Sequence, residues 1–284
     1  MSAERIDIRP LRSMAECQAA ADLQRDVWGD DYTDIVPATL LHVLDQVGGL
    51  AAGAFDGSGD LLGFVFGVSG VRDGELVHWS HMLGVRVAAR NLGVGRRLKE
   101  YQRDVMRGIG VKRILWTFDP LMTKNAYFNL VRLGARVIEY VPDMYGTTTS
   151  PLHLGMPTDR LVVCLDTTPQ RAASAPTRSE LPPPPVLTAF PHMHDATVTR
   201  NSPPPDHAMI EIPDDVLDLL AKSPSAARTW RLAVRDYFQW AISNGYEVTS
   251  VHRDAAANRS FYLLRRLHLA AVGLPVSREL QQAT

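Results

Sequence analysis

The sequence predicts an α/β fold of the α+β kind, with a mixed central sheet and a smaller C-terminal α/β unit. Three observations carry this. Over residues 1–167, apolar alternation and helical periodicity follow one another in the order β-α-α-β-β-β-α-β-α-β-β. Residues 168–205 lose both periods and hold the runs Pro182 to Pro185 and Pro203 to Pro205, the composition of a linker or surface arm. Residues 206–284 resume the pattern as β-α-α-β-β, a unit too small to repeat the first.

Ile6 to Arg9 alternates as a first strand. Ser13 and Glu16 have the spacing of a capping box, and a helix follows towards Trp28. The acidic run Asp30, Asp31, Tyr32, Thr33, Asp34 breaks it. Pro37 suits the first turn of a short helix, Ala38 to Gln46, which Gly48 and Gly49 end. Leu50 to Phe55 and Leu61 to Val68 make a hairpin about Asp56-Gly57-Ser58-Gly59-Asp60. A long strand, Glu75 to Val87, leads into a glycine loop and a helix to about Gly108. Then come a strand Arg113 to Phe118, a helix Thr123 to Leu133 ended by Gly134, and strands Arg136 to Val141 and Leu161 to Leu165. In the C-terminal unit Ala208 to Ile212 reads as a strand, and Pro213-Asp214-Asp215 opens a short helix. Pro224 opens a longer helix with Trp230, Val234, Phe238 and Ile242 on one face, before strands Tyr246 to His252 and Ser260 to Leu264. That face needs cover from the first domain or from a second subunit, so a homodimer is one expectation.

Of 284 residues, 45% are apolar, enough for a full core. The 30 basic and 31 acidic side chains leave a net charge of −1, with no one-sign field to draw nucleic acid or an anionic membrane. No apolar run approaches the roughly 20 residues of a membrane span. Met1 to Arg5 lacks a signal-peptide core. Cys17 and Cys164 form neither a disulfide framework nor a metal cluster and read as small buried hydrophobes. His192 and His194, near Asp195, have no second cluster, so no metal is expected. A cytoplasmic location without nucleic-acid or membrane partners fits these readings.

The richest stretch is Leu83 to Leu98. Leu83, Val85 and Val87 alternate into Arg90-Asn91-Leu92-Gly93-Val94-Gly95, and a helix pattern follows. Free amides and the positive end of a helix dipole meet there, which favours a phosphate. Glycine lets the anion approach the backbone. A dinucleotide fingerprint is excluded because Leu98 stands where the third glycine belongs, and a Walker loop because Gly95 is followed by Arg96 and Arg97. What fits is [RQ]-x-x-G-x-[GA], as Arg90, Gly93 and Gly95 after a strand.

That motif in this order of elements resembles the GNAT superfamily of acyl-CoA-dependent N-acyltransferases. Four further blocks look like a branch of predicted acetyltransferases of undefined substrate: Ser80 to Val85, Thr117 to Leu121, Asn125 to Ala135 and Met156 to Arg160. The resemblance implies a sheet splayed around acyl-CoA. It places pantetheine against the backbone of Leu83, Val85 and Val87, and pyrophosphate on the amides of Gly93, Val94, Gly95 and Arg96. Arg90 and Arg96 stand near the phosphates, and Arg97 more weakly. Asn125, or Thr123 in another register, is the pantetheine-touching residue of the next helix. The usual tyrosine acid is missing: Leu130 takes its place, with Tyr127 and Asn129 nearby. The co-substrate implied is acetyl-CoA or another acyl-CoA, without a metal, and the acceptor is an amine of a small molecule or peptide.

Such transfer needs a base to free the amine. On Glu75 to Met82, histidine has the suitable intrinsic pKa. His81 is the preferred base, with His78 and Glu75 behind it. By simple alternation His81 shares a face with Leu83 and Val85, unless a bulge changes the phase. The acidic loop borders the acceptor side, and Asp119, Asp159 and Arg160 are further acceptor-side candidates. Two other readings stay open: an enzyme acting on the acyl-CoA itself, as decarboxylase or thioesterase, and a non-catalytic acyl-CoA sensor.

Overall fold

The computed structural model describes residues 6–30, 32–146, 155–168, 205–256 and 259–267. Asp31 and nearly all of the proline-rich arm, with His192, His194 and Asp195, lie outside the described residues.

The first part runs β1 (Asp7–Pro10), α1 (Met14–Trp28), α2 (Ala38–Val43), β2 (Leu50–Phe55), β3 (Leu61–Arg72), β4 (Glu75–Val85), α3 (Val94–Gly108), β5 (Arg113–Phe118), α4 (Thr123–Ala126), β6 (Arg136–Val141) and β7 (Arg160–Asp166). This is the expected order of elements. Helix α1 starts where the sequence says it should: Ser13 Oγ accepts from the Glu16 amide at 3.2 Å while Glu16 accepts from the Ser13 amide. The β2–β3 hairpin is closed by Asp56, whose carboxylate accepts from the amides of Ser58 and Asp60, both at 2.9 Å.

The seven strands form one mixed sheet in the order β1-β2-β3-β4-β5-β7-β6. All pairs are antiparallel except β4–β5, which pair in parallel only at Val77–Arg113, His78–Ile114 and Trp79–Leu115. Beyond Trp79 and Leu115 the two strands part, so the sheet is split down its middle. One face of the sheet buries Phe64, Phe66 and Met82 against Leu23 and Leu41 of α1 and α2. The other buries Trp116 and Val163 against Val94, Leu98 and Met106 of α3. Each such side chain contributes about 1.5–3 kcal/mol relative to exposure.

The second part runs β8 (His207–Pro213), α5 (Val216–Lys222), α6 (Pro224–Ser243), β9 (Tyr246–Asp254) and β10 (Arg259–Arg266). Its antiparallel sheet has the order β8-β10-β9, whereas β1, β2 and β3 lie in chain order. The likeness to the start of the chain is therefore one of element order and not of pairing. Val234 and Phe238 join the α3-side core, and the Phe238 ring stacks on Tyr140 of β6 at 5.1 Å and 18°.

Two expectations need correction. The helix Thr123 to Leu133 is α-helical only to Ala126 and then widens into π-type turns over Tyr127–Arg132, with the Leu133 amide bonded to Phe128 O at 3.0 Å. The wide turn brings Asn129 inward, where it accepts from the Trp116 indole at 2.9 Å. On α6 the buried stripe is Ala227, Arg231, Val234, Phe238 and Ala241, while Ile242 is 43% exposed. Apolar periodicity found Val234 and Phe238 but not Arg231, because a buried arginine, matched by Asp119 at 2.5 Å, gives no apolar signal.

Candidate active site

The split in the sheet is the organising feature. The Arg86 amide bonds to Leu62 O at 2.9 Å, so residues of that phase aim their backbone at β3. Leu83 and Val85, of the other phase, aim theirs into the gap towards β5. Val87 lies past the strand end, in a one-turn 3₁₀ segment (Val87–Ala89), and is 67% exposed.

At the mouth of the gap, helix α3 begins without a side-chain cap. Its first intrahelical bond is Arg97 N to Gly93 O at 3.1 Å. The amides of Val94, Gly95 and Arg96 thus point out of the helix end, along the positive end of its dipole. Gly93 adopts φ +77°, a left-handed conformation that a side chain would strain. A Cβ on Gly95 would stand 3.7 Å from both Leu83 and Phe128 and 3.8 Å from Val85, so this residue borders the gap itself. Arg90 is exposed. Arg96 pairs with Glu100 at 2.8 Å, and Arg97 reaches away to Ile6 O at 2.7 Å. Asn125 is exposed near the start of α4, and Thr123 is buried with its hydroxyl on Pro213 O at 3.1 Å.

The β3–β4 register slips between Phe66–Met82 and Gly67–Ser80, which makes His81 the extra residue of a β-bulge. The phase of β4 changes there. His78 and Ser80 share the α3 face with Leu83 and Val85, and His81 turns to the opposite face, edge-on to Phe66 at 5.6 Å. This corrects the simple alternation. Packing lowers the His81 pKa below 6.5, while Asp34 of the α1–α2 loop raises it. On the same face Tyr32 tilts against Trp28 at 5.4 Å, and its pKa is raised by burial and then by Asp34. Across the gap Thr117 of β5 contacts the Tyr145 hydroxyl at 3.2 Å, and Arg160 lies 5.3 Å over the Tyr145 ring. Asp34, His81, Thr117, Tyr145 and Arg160 thus combine a carboxylate, an imidazole and a guanidinium around the open end of the sheet.

Asp119 and Asp159 are committed elsewhere. Asp119 is buried between Arg231 and the Leu121 amide, with Arg160 4.0 Å away. Asp159 accepts from Tyr140 at 2.5 Å and from Arg235 at 2.5 and 3.0 Å. These bonds outweigh burial and hold its carboxyl below the usual range. Asp159 and Arg160 therefore serve different clusters.

The α3 face of the gap holds a buried polar chain. Ser69 Oγ donates to Gly48 O, so the His78 Nδ1–H donates to Ser69 at 3.0 Å. Gln102 then donates to His78 Nε2 at 3.0 Å and accepts from Lys99 at 3.4 Å, and Lys99 donates to Ser80 at 2.7 Å. Burial pushes His78 down to about 4 and Lys99 down to about 7. His78 and His81 are not brought together. Sequence reasoning missed Lys99: it reads as one more surface cation beside Arg96, Arg97 and Glu100. Its spacing of three from Gln102 and seven from Met106, both buried, was the available signal. Glu75 sits at the closed end of the sheet, paired with Arg113 at 2.8 Å.

Strand order, split and glycine turn together fit the arrangement that the resemblance to the GNAT superfamily implies. Among solved structures, this chain is similar to aminoglycoside 6'-acetyltransferase type Ii, at 19% identity over 58% of this chain and 99% of that one, with a TM-score of 0.46. It is similar to a GNAT-family acetyltransferase of Streptococcus pneumoniae, at 15% identity, 57% and 99% coverage, and a TM-score of 0.46. A third is an aminoglycoside 6'-N-acetyltransferase complexed with coenzyme A, at 17% identity, 58% and 99% coverage, and a TM-score of 0.44. No family model and no curated protein matches the chain. Among the described residues no group of three or more His, Cys, Asp or Glu is placed to hold a metal, and no helix is long and apolar enough to cross a membrane.

Proposed function

We propose that this protein transfers an acetyl or other acyl group from acyl-CoA to an amine of a small molecule or peptide. The observation that carries the reading is the parting of β4 and β5 directly beside an uncapped helix N-terminus. The gap offers unpaired strand backbone for an amide-bearing pantetheine arm, and the amides of Val94, Gly95 and Arg96 suit its pyrophosphate. Arg90 and Arg96 add charge, Arg96 by leaving its exposed pair with Glu100. The acceptor amine approaches from the opposite face. There the neutral imidazole of His81 takes its proton, directly or through one water, and the Asp34 carboxylate stabilises the imidazolium that forms. The amine then attacks the thioester carbonyl, the C–N bond forms and the C–S bond breaks. In this reading the exposed Asn125 of α4 contacts the pantetheine arm.

Calorimetry with coenzyme A and acetyl-CoA tests the cofactor, and an amine panel followed by product mass and free thiol tests the reaction. Wild type binds both coenzyme A and acetyl-CoA, and Gly95→Leu, whose side chain fills the gap between Leu83 and Phe128, loses them while its circular dichroism is unchanged. Folded wild type without affinity for either sinks the reading. Binding without transfer to any amine, but with thiol release, moves the assignment to chemistry on the acyl-CoA itself.

A further inference from the structure

The reaction needs a group to protonate the departing thiolate, and no tyrosine stands where the resemblance implies one. Tyr127 is 44% exposed, and Asn129 is held by the Trp116 indole. The gap has another polar group at its base. Ser80 is the first residue of β4 beyond the last parallel pair, Trp79–Leu115, and Trp116 is its counterpart on β5. Lys99 fills the space between them, with Nζ 2.7 Å from Ser80 Oγ and 4.0 Å from the Trp116 ring.

We propose, resting on the acyl-transfer reading, that Ser80 is the catalytic acid of this enzyme and that Lys99 is the positioning residue that supplies its proton. As the C–S bond breaks, the electron pair goes to sulfur. The Ser80 hydroxyl gives its proton to the thiolate and is refilled at once by the Lys99 ammonium, which leaves Lys99 neutral and CoA as the thiol.

The surroundings fit that exchange. No carboxylate neutralises Lys99 among the described ion pairs, and burial brings it to about 7. An ammonium near 7 is a stronger acid than a thiol near 8.5, so the transfer runs downhill. The charged and titratable groups facing it are His78 on β4, Arg132 on the π-type segment, and Arg96, Glu100 and Arg103 on α3. His78 is neutral and already doubly bonded, so it does not compete. A cavity of about 110 Å³ is lined by Lys99 together with Arg96, Glu100, Arg103 and Arg132. In this proposal the proton is restored to Lys99 from that side.

The test is the pH dependence of kcat at saturating acetyl-CoA and amine, read beside CoA affinity. Wild type is expected to lose kcat as pH rises through about 7, the value for Lys99. Lys99→Met should lower kcat about 100-fold, remove that falling limb and bind CoA within about twofold of wild type, a similar loss to be seen in Ser80→Ala. Lys99→Arg, which keeps its charge, should recover part of kcat and move the limb to higher pH. If Lys99→Met does not fold, Ser80→Ala and the wild-type profile decide. Transfer whose profile has no falling limb, or a limb unchanged in Lys99→Met or Ser80→Ala, overturns the proposal and leaves the function standing. A folded wild type that acetylates no amine overturns the functional reading instead.

Discussion

His81 and His78 stand three residues apart and do opposite things, because one bulge residue separates their faces. His81 is exposed on the face proposed for the acceptor, and desolvation holds its pKa below the ordinary histidine value, the direction a base needs. His81→Ala is expected to lower kcat by about 100-fold or more with CoA affinity intact. Unchanged turnover in that variant removes His81 from the mechanism. His78 instead makes a stability statement. Its folded pKa, about 4, lies below the unfolded value near 6.5, so between these two pH values the unfolded chain binds more protons. Stability therefore rises with pH across that window and falls on acidification through it. Urea melts of wild type at pH 4.5 and 6.5 should show the lower midpoint at pH 4.5, and a His78→Gln variant should lose most of that difference. Lys99, also depressed, gives the same sign in a higher window: stability increases from about pH 7 towards the ordinary lysine value of 10.5.

At the level of elements, two glycines do distinct work. Gly93 supplies the left-handed residue from which α3 starts, at φ +77°. Gly93→Ala is expected to cost about 1 kcal/mol and to weaken CoA binding, since the three amides shift with the turn. Gly67 has ordinary strand geometry, but a Cβ there would fall on the His78 ring and on Trp79 O. Gly67→Ala should cost about 1–3 kcal/mol by displacing His78 from Gln102, a loss readable as a lower thermal midpoint with CoA affinity retained. The contrast shows what the sequence could tell. Gly93 announces itself through Arg90 and Gly95, the capping box through Ser13 and Glu16, and the hairpin through Asp56 to Asp60, because each signal lies within a few residues. The bulge at His81 depends on pairing with Phe66 and Gly67, and the inward turn of Asn129 depends on Trp116. Both are contacts between segments that are distant in the chain, so local patterning gave the strands and the helix but not their phase.

For the whole molecule, the question is whether the second sheet folds on its own. Phe238 lies fully buried between the Tyr140 ring of β6 and the Tyr262 ring of β10, each 5.1 Å away. Arg231 and Arg235 of α6 hold Asp119 and Asp159 of the first part, and the Tyr262 hydroxyl donates to Pro120 O at 2.8 Å. Asp119 and Pro120 directly follow β5, whose Thr117 meets Tyr145 on the side proposed for the acceptor. The second part thus fixes the end of one of the two strands that part around the proposed site. Buried contacts this extensive are expected to couple the two parts into one cooperative unit. Phe238→Ala is expected to cost about 3–5 kcal/mol and to lower one shared thermal transition, seen at the same midpoint by far-ultraviolet and near-ultraviolet circular dichroism. It should also raise KM for the amine more than the dissociation constant for CoA, because β5 shifts while the β4–α3 turn stays in place. Two separate transitions, with only one moved by the substitution, would show that the parts fold independently and that the acceptor side owes nothing to α6.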